Sequence, residues 1–491
     1  MTNIINSFPG YEYRLNRDTM KYENYFRGLD MGKGGYVYGR PGIYTNVALL
    51  DIQSMHPNSA VNMNYFGDYT SKFKEILDAR IAIKNGDYET AKKMFGGQIA
   101  KYLDDTSTAD QLASALKIVI NSVYGMSSAP FDNPFRDPRN VNNIIALRGA
   151  LFMKTLQDEI ADKGYIVAAI RTDSIKIPNA DLSIINYCMD FASKYGYKFE
   201  HEATYDRMCL IDNAQYVAAY LDAQKCIDLY GYCPKDNKKD IAKHGHPWTA
   251  TGTEFQRPFI FKTLFSGEPL EFDDYCVTNN VQKGDIYLDM NESGYPDVSK
   301  EEKELEKRIY NSSHSDKPQK LSPDFAEITD ESLISTIANG HNYCFIGHTG
   351  RFYPVSPGNN GGVLVQKRGG KYSSVTGAKG YRWLEAEFVK EMGLQSCLDP
   401  RYHKSKIDEA IAAINKFGDF ESFIDVSKPY NWKPEHNDPP GHEGADDELP
   451  FDLVPCGDNK YNTCMECPNC VGDICRRGYS LASFIEIGGD A

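Results

Sequence analysis

With 491 residues and a formal charge of −14, the chain has room for two to four domains with their own cores, and is too acidic to coat nucleic acid uniformly. Its apolar and charged fractions, 41% and 25%, exclude a fibrous or wholly disordered protein. No run approaches the ~18 apolar residues of a membrane helix, and the opening MTNIINSFPGYEYRLN lacks the apolar stretch of a secretory leader, so the expected location is a reducing cytoplasm without a membrane partner.

Residues 34–65 predict a turn-rich opening, a β-type run TNVALLDI reaching Asp51, and a polar bend around Pro57. Apolar residues at helical spacing then predict helices over 70–85 and 108–124, joined by polar links into an antiparallel arm. A further helix is expected over 143–163, ending at Lys163-Gly164 as a C-cap should. The strand YIVAAI, a turn at 171–174 and the strand IKIP form a hairpin, so Asp51 and Asp173 both fall at strand ends.

Beyond residue 226 the pattern is less regular. A charged helix is expected at 299–309 and a loop at 311–320, while 433–450 is rich in Pro, Gly and acids and has the composition of a linker. No internal repeat occurs. Between Arg351 and Trp383 the chain carries Arg351, Lys367, Arg368, Lys371, Lys379 and Arg382, has no acid, and interleaves Tyr372, Tyr381 and Trp383. That composition suits a phosphate backbone, although a solvated hairpin shares it.

Three separated stretches carry the chemistry: DIQSMHPNS at 51–59, KIVINSVYG at 117–125 and RTDS at 171–174. Singly each has a structural explanation: a turn cap, a solvated helix lysine, a short polar turn. Together, in this order, they resemble the family B DNA polymerases, whose motifs run Asp-x-x-Ser-Leu-Tyr-Pro-Ser, Lys-x-x-x-Asn-Ser-x-Tyr-Gly and Asp-Thr-Asp-Ser. The middle motif matches at every defined position. Arg80 and Lys84 reproduce an Arg-x-x-x-Lys spacing one helical turn apart. GKGGYV at 32–37 is similar to the family's Tyr-x-Gly-Gly element with Gly32 at the tyrosine, and DNAQYVAAY keeps Tyr216 of a Lys-x-Tyr motif with Ala214 at the lysine. TGTEFQRP and GAKGYRWLE further resemble phage members.

The resemblance implies an α+β right-hand polymerase with a cysteine-rich metal module. Its expected parts are palm at 1–65 and 126–225, fingers at 66–125, a thumb with insertions and acidic linker at 226–450, and a tail at 451–491. It implies a primer-dependent, template-directed DNA polymerase in phage genome replication, acting in the cytoplasm of an infected cell on primer–template DNA and deoxynucleoside triphosphates. Two Mg²⁺ ions accelerate such an in-line displacement, and the expected ligands are Asp51, Asp173 and the Ile52 carbonyl. Arg80, Lys84, Lys117, Asn121, Tyr124, Ser54 and His56 are the expected nucleotide-binding residues. Arg171, Thr172, Tyr216, Lys367, Arg368, Lys371, Lys379 and Arg382 are expected to meet DNA.

This chain departs from the family at two points. Arg171 stands where the first acid of Asp-Thr-Asp-Ser belongs; two positions from Asp173 on a strand, it is expected on the same face, holding the primer terminus. His56 occupies the position of the tyrosine that blocks a ribose 2′-hydroxyl, so weaker sugar discrimination is expected. The alternative is an inactive polymerase-fold subunit that binds DNA as a scaffold; retention of the nucleotide-gripping residues favours the enzyme. Only 50 residues precede Asp51, so no exonuclease domain is expected here: the exonuclease is encoded separately, the chain is a fragment, or it does not proofread, and the first alternative makes a separate exonuclease subunit, like a sliding clamp, an expected partner.

The tail carries Cys456, Cys464, Cys467, Cys470 and Cys475. Such thiolate density in a reducing compartment points to metal: zinc or a 4Fe-4S cluster. Elemental analysis with a visible spectrum separates the two, since a cluster is brown and zinc colourless; a protein carrying neither metal refutes both.

Overall fold

A computed structural model describes residues 2–129, 131–136, 143–290, 343–369 and 371–430, together with 470–471 and 474–475. The expected helix at 299–309, the loop at 311–320, the linker at 433–450, and Cys456, Cys464 and Cys467 lie outside the described residues. The chain divides into two units, Met1–Trp432 and Lys433–Ala491. In the second, the strands Cys470–Val471 and Ile474–Cys475 pair antiparallel, with Cys470 opposite Cys475 in the register.

The first unit mixes helices with several antiparallel sheets. Helix α1 (Thr2–Ser7) leads into a three-stranded sheet of β1 (Tyr11–Asn16), β2 (Lys21–Phe26) and β3 (Leu29–Asp30), for which the sequence reading had no element. There follow β4 (Val37–Gly39), β5 (Gly42–Ile52), α2 (Met55–Asn62), α3 (Thr70–Lys84), α4 (Tyr88–Ala91), α5 (Thr106–Ser127) and α6 (Ile144–Asp162). The next elements are β6 (Ala169–Arg171), β7 (Ser174–Ile177), α7 (Leu182–Lys194), β8 (Phe199–Leu210), β9 (Tyr216–Tyr220) and β10 (Trp248–Thr251).

Seven of these strands form one sheet in the order β10-β9-β8-β5-β7-β6-β4, every neighbour antiparallel. Strand β5 is central because it is apolar on both faces. Its Ala48, Leu50 and Ile52 join the core with α6 and α7, while Tyr44, Val47 and Leu49 face a second cluster with Tyr205 and Met208. The sheet runs past the boundary expected at residue 225, since β10 pairs with β9.

Helices α3 and α5 form the expected arm, held by buried Phe73, Leu77, Ile120 and Val123. Their link is not purely polar: Ala91 of α4 and Leu103 pack under the arm against Ala82, Ile83 and Ala109. The carboxylate of Asp105 caps α5 by accepting from the Thr108 amide at 3.0 Å. Helix α6 stops as expected, with Gly164 left-handed at φ 82. No helix among the described residues is long and apolar enough to cross a membrane.

Two smaller sheets follow. Strands β11 (Val277–Asn280), β14 (Thr349–Val355) and β17 (Arg382–Glu385) make one. Strands β13 (Tyr343–Gly347), β12 (Asp285–Asp289), β15 (Val363–Arg368) and β16 (Lys371–Ser374) make the other.

The chain from 420 to 430 is tied to the main sheet by one buried cation. Arg207 of β8 is 1% exposed. Its guanidinium donates to the carbonyls of Ser422, Phe423, Asp425 and Lys428 at 2.6–3.2 Å, and to the Asp206 carboxylate at 2.8 Å. Arg207→Met should cost about 3–5 kcal/mol, because it strands several buried acceptors at once. Chemical denaturation checks it; a loss under about 1 kcal/mol contradicts the clamp.

Candidate active site

The three motifs converge on one cavity of about 490 Å³. Asp51 stands near the end of β5, half-buried, and Asp173 sits in the two-residue turn between β6 and β7. The Ile52 amide donates to the Asp173 carbonyl at 2.9 Å, which joins the two acids through the backbone. Thr172 is left-handed at φ 57, an unfavourable conformation for a β-branched residue, and its amide donates to the Tyr36 carbonyl at 2.9 Å. Gly35 lets the chain lie against this turn: a Cβ there would come within 2.6 Å of the Thr172 side chain. The Gly-Gly element therefore braces the acid-bearing turn.

Opposite the acids stand the helices. Arg80 and Lys84 of α3, and Lys117, Asn121 and Tyr124 of α5, all line the cavity, as do Ile52, Ser54 and His56. Ser54 is left-handed at φ 55 and receives a bond from Arg80 Nη1 at 3.4 Å. The Arg80 Nε and His56 Nδ1 are buried and have no partner among the described residues. The His56 ring lies parallel to Tyr124, centroids 5.0 Å apart and planes within 8°. Burial pulls the His56 pKa down, so the stacked ring is neutral at pH 7.

The acids themselves are under strain. Burial, then repulsion from Asp173, Glu202 and Glu200, pushes the Asp51 pKa up to about 7, with Lys84 opposing. Burial raises Asp173 as well.

Sequence reasoning missed Glu200 and Glu202. Glu200 lines the cavity and lies directly across from Asp51 on β8, accepting a bond from the Gln53 amide. Glu202, at the bulge where the β5–β8 register shifts, is half-buried, is raised by burial and neighbouring acids, and adds to the repulsion on Asp51. The signal was the alternation in FEHEA, where Phe199, His201 and Ala203 are buried while Glu200 and Glu202 are not.

Arg171 requires a correction. It is exposed, pairs with Val37 and Ser174, and does not line the cavity. The shared-face expectation assumed a continuous strand, but the chain reverses at Thr172–Asp173, so residues 171 and 173 are not strand neighbours.

Tyr216 opens β9, and Lys176 of β7, 6% exposed, places its Nζ 4.8 Å from the Tyr216 ring. A lysine thus stands beside this tyrosine although position 214 is alanine. The basic stretch is split between sheets: Lys367, Arg368 and Lys371 lie on β15 and β16, Arg382 on β17, and Lys379 in an exposed turn.

No family model matches the chain, and no curated protein matches it. Among solved structures it is similar to the family B DNA polymerase from the hyperthermophilic archaeon Pyrobaculum calidifontis. The TM-score is 0.34 and the identity 12%, over 78% of this chain and 46% of that one. This chain therefore spans less than half of that polymerase's length.

Because the fold raises Asp51 above its ordinary value of 3.8, the neutral form is the one the fold prefers. This contribution is full below about pH 3.8 and is lost as pH rises toward about 7. In chelator, Asp51→Asn should therefore gain melting temperature relative to wild type as pH rises across that window. A constant difference from pH 4 to 8 in differential scanning calorimetry contradicts the stated environment.

Proposed function

We propose that the chain is a template-directed, primer-dependent DNA polymerase that adds deoxynucleotides to a primer 3′-hydroxyl. The observation that carries this reading is one cavity in which three half-buried carboxylates, Asp51, Asp173 and Glu200, face three cations on a helical arm. Nucleotidyl transfer needs that polarity: positive charge for the triphosphate and acids to gather divalent cations beside it.

Asp51 and Asp173 fit a divalent cation. Both are driven toward the neutral form by burial, and Asp51 also by its acidic neighbours, a cost that a cation between them relieves. Asp51, Asp173 and the Ile52 carbonyl would hold two Mg²⁺ ions, which when bound activate the attacking hydroxyl and stabilise the leaving pyrophosphate. Glu200, facing Asp51 across the strands, supplies the negative charge that Arg171 does not. Arg80, Lys84 and Lys117 grip the triphosphate, with Ser54 and Asn121 beside them, and the stacked His56–Tyr124 pair forms the floor under the sugar. Arg171, exposed on the β6–β7 hairpin with Thr172, meets a primer phosphate, and Tyr216 with Lys176 lies further along the same strand.

In this reading the seven-stranded sheet is the palm, extended past residue 225 by β10, and α3 to α5 are the fingers. The sheets beyond residue 226 belong to the thumb, where Lys367, Arg368, Lys371, Lys379 and Arg382 hold duplex. The cysteines of the tail bind zinc or a 4Fe-4S cluster. The setting is phage genome replication in the cytoplasm of an infected cell, with an exonuclease subunit or clamp supplied separately.

The test is extension of a primed template with Mg²⁺ and deoxynucleotides, run alongside ribonucleotides to read the His56 floor. Wild type should extend, and Asp173→Ala should lower the rate by at least about a thousandfold while leaving DNA affinity within about threefold. A wild-type chain that binds primed DNA and never extends it would support the scaffold alternative; equal rates would remove Asp173 from the chemistry.

A further inference from the structure

Several helices of this chain begin on a side chain that caps them. Asp105, Asp181 and Asp222 each accept from an amide of the helix that they start. Asn143, which starts α6, does not: its backbone is left-handed at φ 54, and its side chain makes no capping bond to α6. Ser54 at the start of α2 behaves likewise, left-handed at φ 55, without a capping bond, and receiving Arg80 instead. Each gives up a bond that would stabilise its own helix. In both cases the side chain turns to the helical arm.

Asn143 turns to Tyr124. Its side-chain amide donates to the Tyr124 hydroxyl at 3.1 Å, and its amide oxygen lies 3.4 Å from the same hydroxyl. The Tyr124 ring lies parallel to that of His56, and both residues line the candidate active-site cavity, whereas Asn143 does not. A tyrosine held only through its ring face can turn about its side-chain bonds, and a partner fixed at the hydroxyl removes that freedom. Asn143 serves as a fixed partner because it is itself anchored. Its carbonyl accepts from the Leu147 amide at 3.0 Å, and the helix that follows buries Ile145, Leu147, Leu151 and Phe152. The position asks for a residue that tolerates a left-handed backbone and offers a donor beside an acceptor, and asparagine meets both demands.

We propose that Asn143 is a positioning residue for nucleotide binding: by holding the Tyr124 hydroxyl it keeps the Tyr124 and His56 rings stacked, and so keeps flat the part of the cavity wall on which a nucleotide rests. The inference rests on the nucleotide-binding reading of that cavity, in which the stacked pair is the floor under the sugar.

Asn143→Gly isolates the contact, since glycine keeps the left-handed backbone without strain and removes only the side chain. Two measurements on the full chain test it. In proton NMR the His56 ring signal, identified by its absence from His56→Gln, should lie upfield in wild type, where the Tyr124 ring covers it, and should move toward the position of an exposed histidine in Asn143→Gly. In a titration of the complex with primed DNA, using thymidine triphosphate opposite a template adenine and Ca²⁺ in place of Mg²⁺, Asn143→Gly should weaken triphosphate binding about fivefold. Its affinity for the primed DNA itself should stay within about twofold of wild type, which a general loosening of the fold would not allow. Asn143→Asp, whose carboxylate can still accept from the Tyr124 hydroxyl, should bring both measurements most of the way back to wild type. An unmoved His56 signal, an unchanged triphosphate affinity, or an equal loss in Asn143→Asp overturns the proposal while leaving the nucleotide-binding reading intact. A wild type that binds primed DNA but no triphosphate refutes that reading, and the proposal with it.

Discussion

The bond from the Ile52 amide to the Asp173 carbonyl fixes the geometry on which the candidate active site depends. It ties the end of the central strand to the tip of a hairpin more than a hundred residues later in the chain. Because β5 is buried on both faces between β7 and β8, its end cannot drift. The hairpin tip gains no such support from burial; it relies on Tyr36, Gly35 and the backbone of Thr172. Two acids are thus held at close range by main chain, so their repulsion cannot be relieved by moving apart. That is a preorganised demand for positive charge.

The helical arm answers from the other wall. Arg80 and Lys84 occupy successive turns of α3, and Lys117 and Asn121 successive turns of α5, while the buried positions of both helices hold Phe73, Leu77, Ile120 and Val123. The same 3.6-residue period therefore builds the arm and directs its polar side at the sheet. Lys84 is close enough to oppose the rise in the Asp51 pKa, so the two walls already interact electrically without a ligand.

Features set by local pattern were legible in the sequence: β5 from its apolar run, α3 and α5 from their periodicity, the end of α6 from Lys163-Gly164. The convergence of 51–59, 117–125 and 171–174 was legible through motif order. What was lost depended on pairing between distant segments. Glu200 matters because the register places it across from Asp51, and no local rule gives that register. Arg171 was misplaced because the alternation of a strand was carried across the turn at 171–174, where the chain reverses. The β1–β3 sheet escaped notice because YEYRLN and KYENYF are polar enough to pass for loop, their burial coming from a few aromatic residues such as Phe26.

The Arg207 clamp bears on how the chain is made. Its carbonyl partners lie 215 to 221 residues downstream, so during synthesis β8 leaves the ribosome long before the segment that receives its guanidinium exists. Until then the Arg207 guanidinium has only the neighbouring Asp206 carboxylate as a partner, at a position that the finished protein seals from water. Contacts this remote in sequence form slowly, and the sheet's outer face stays open to wrong partners in the interval. The sealing of Arg207 thus waits for residues 420–430, the last stretch of the first unit that the structure describes.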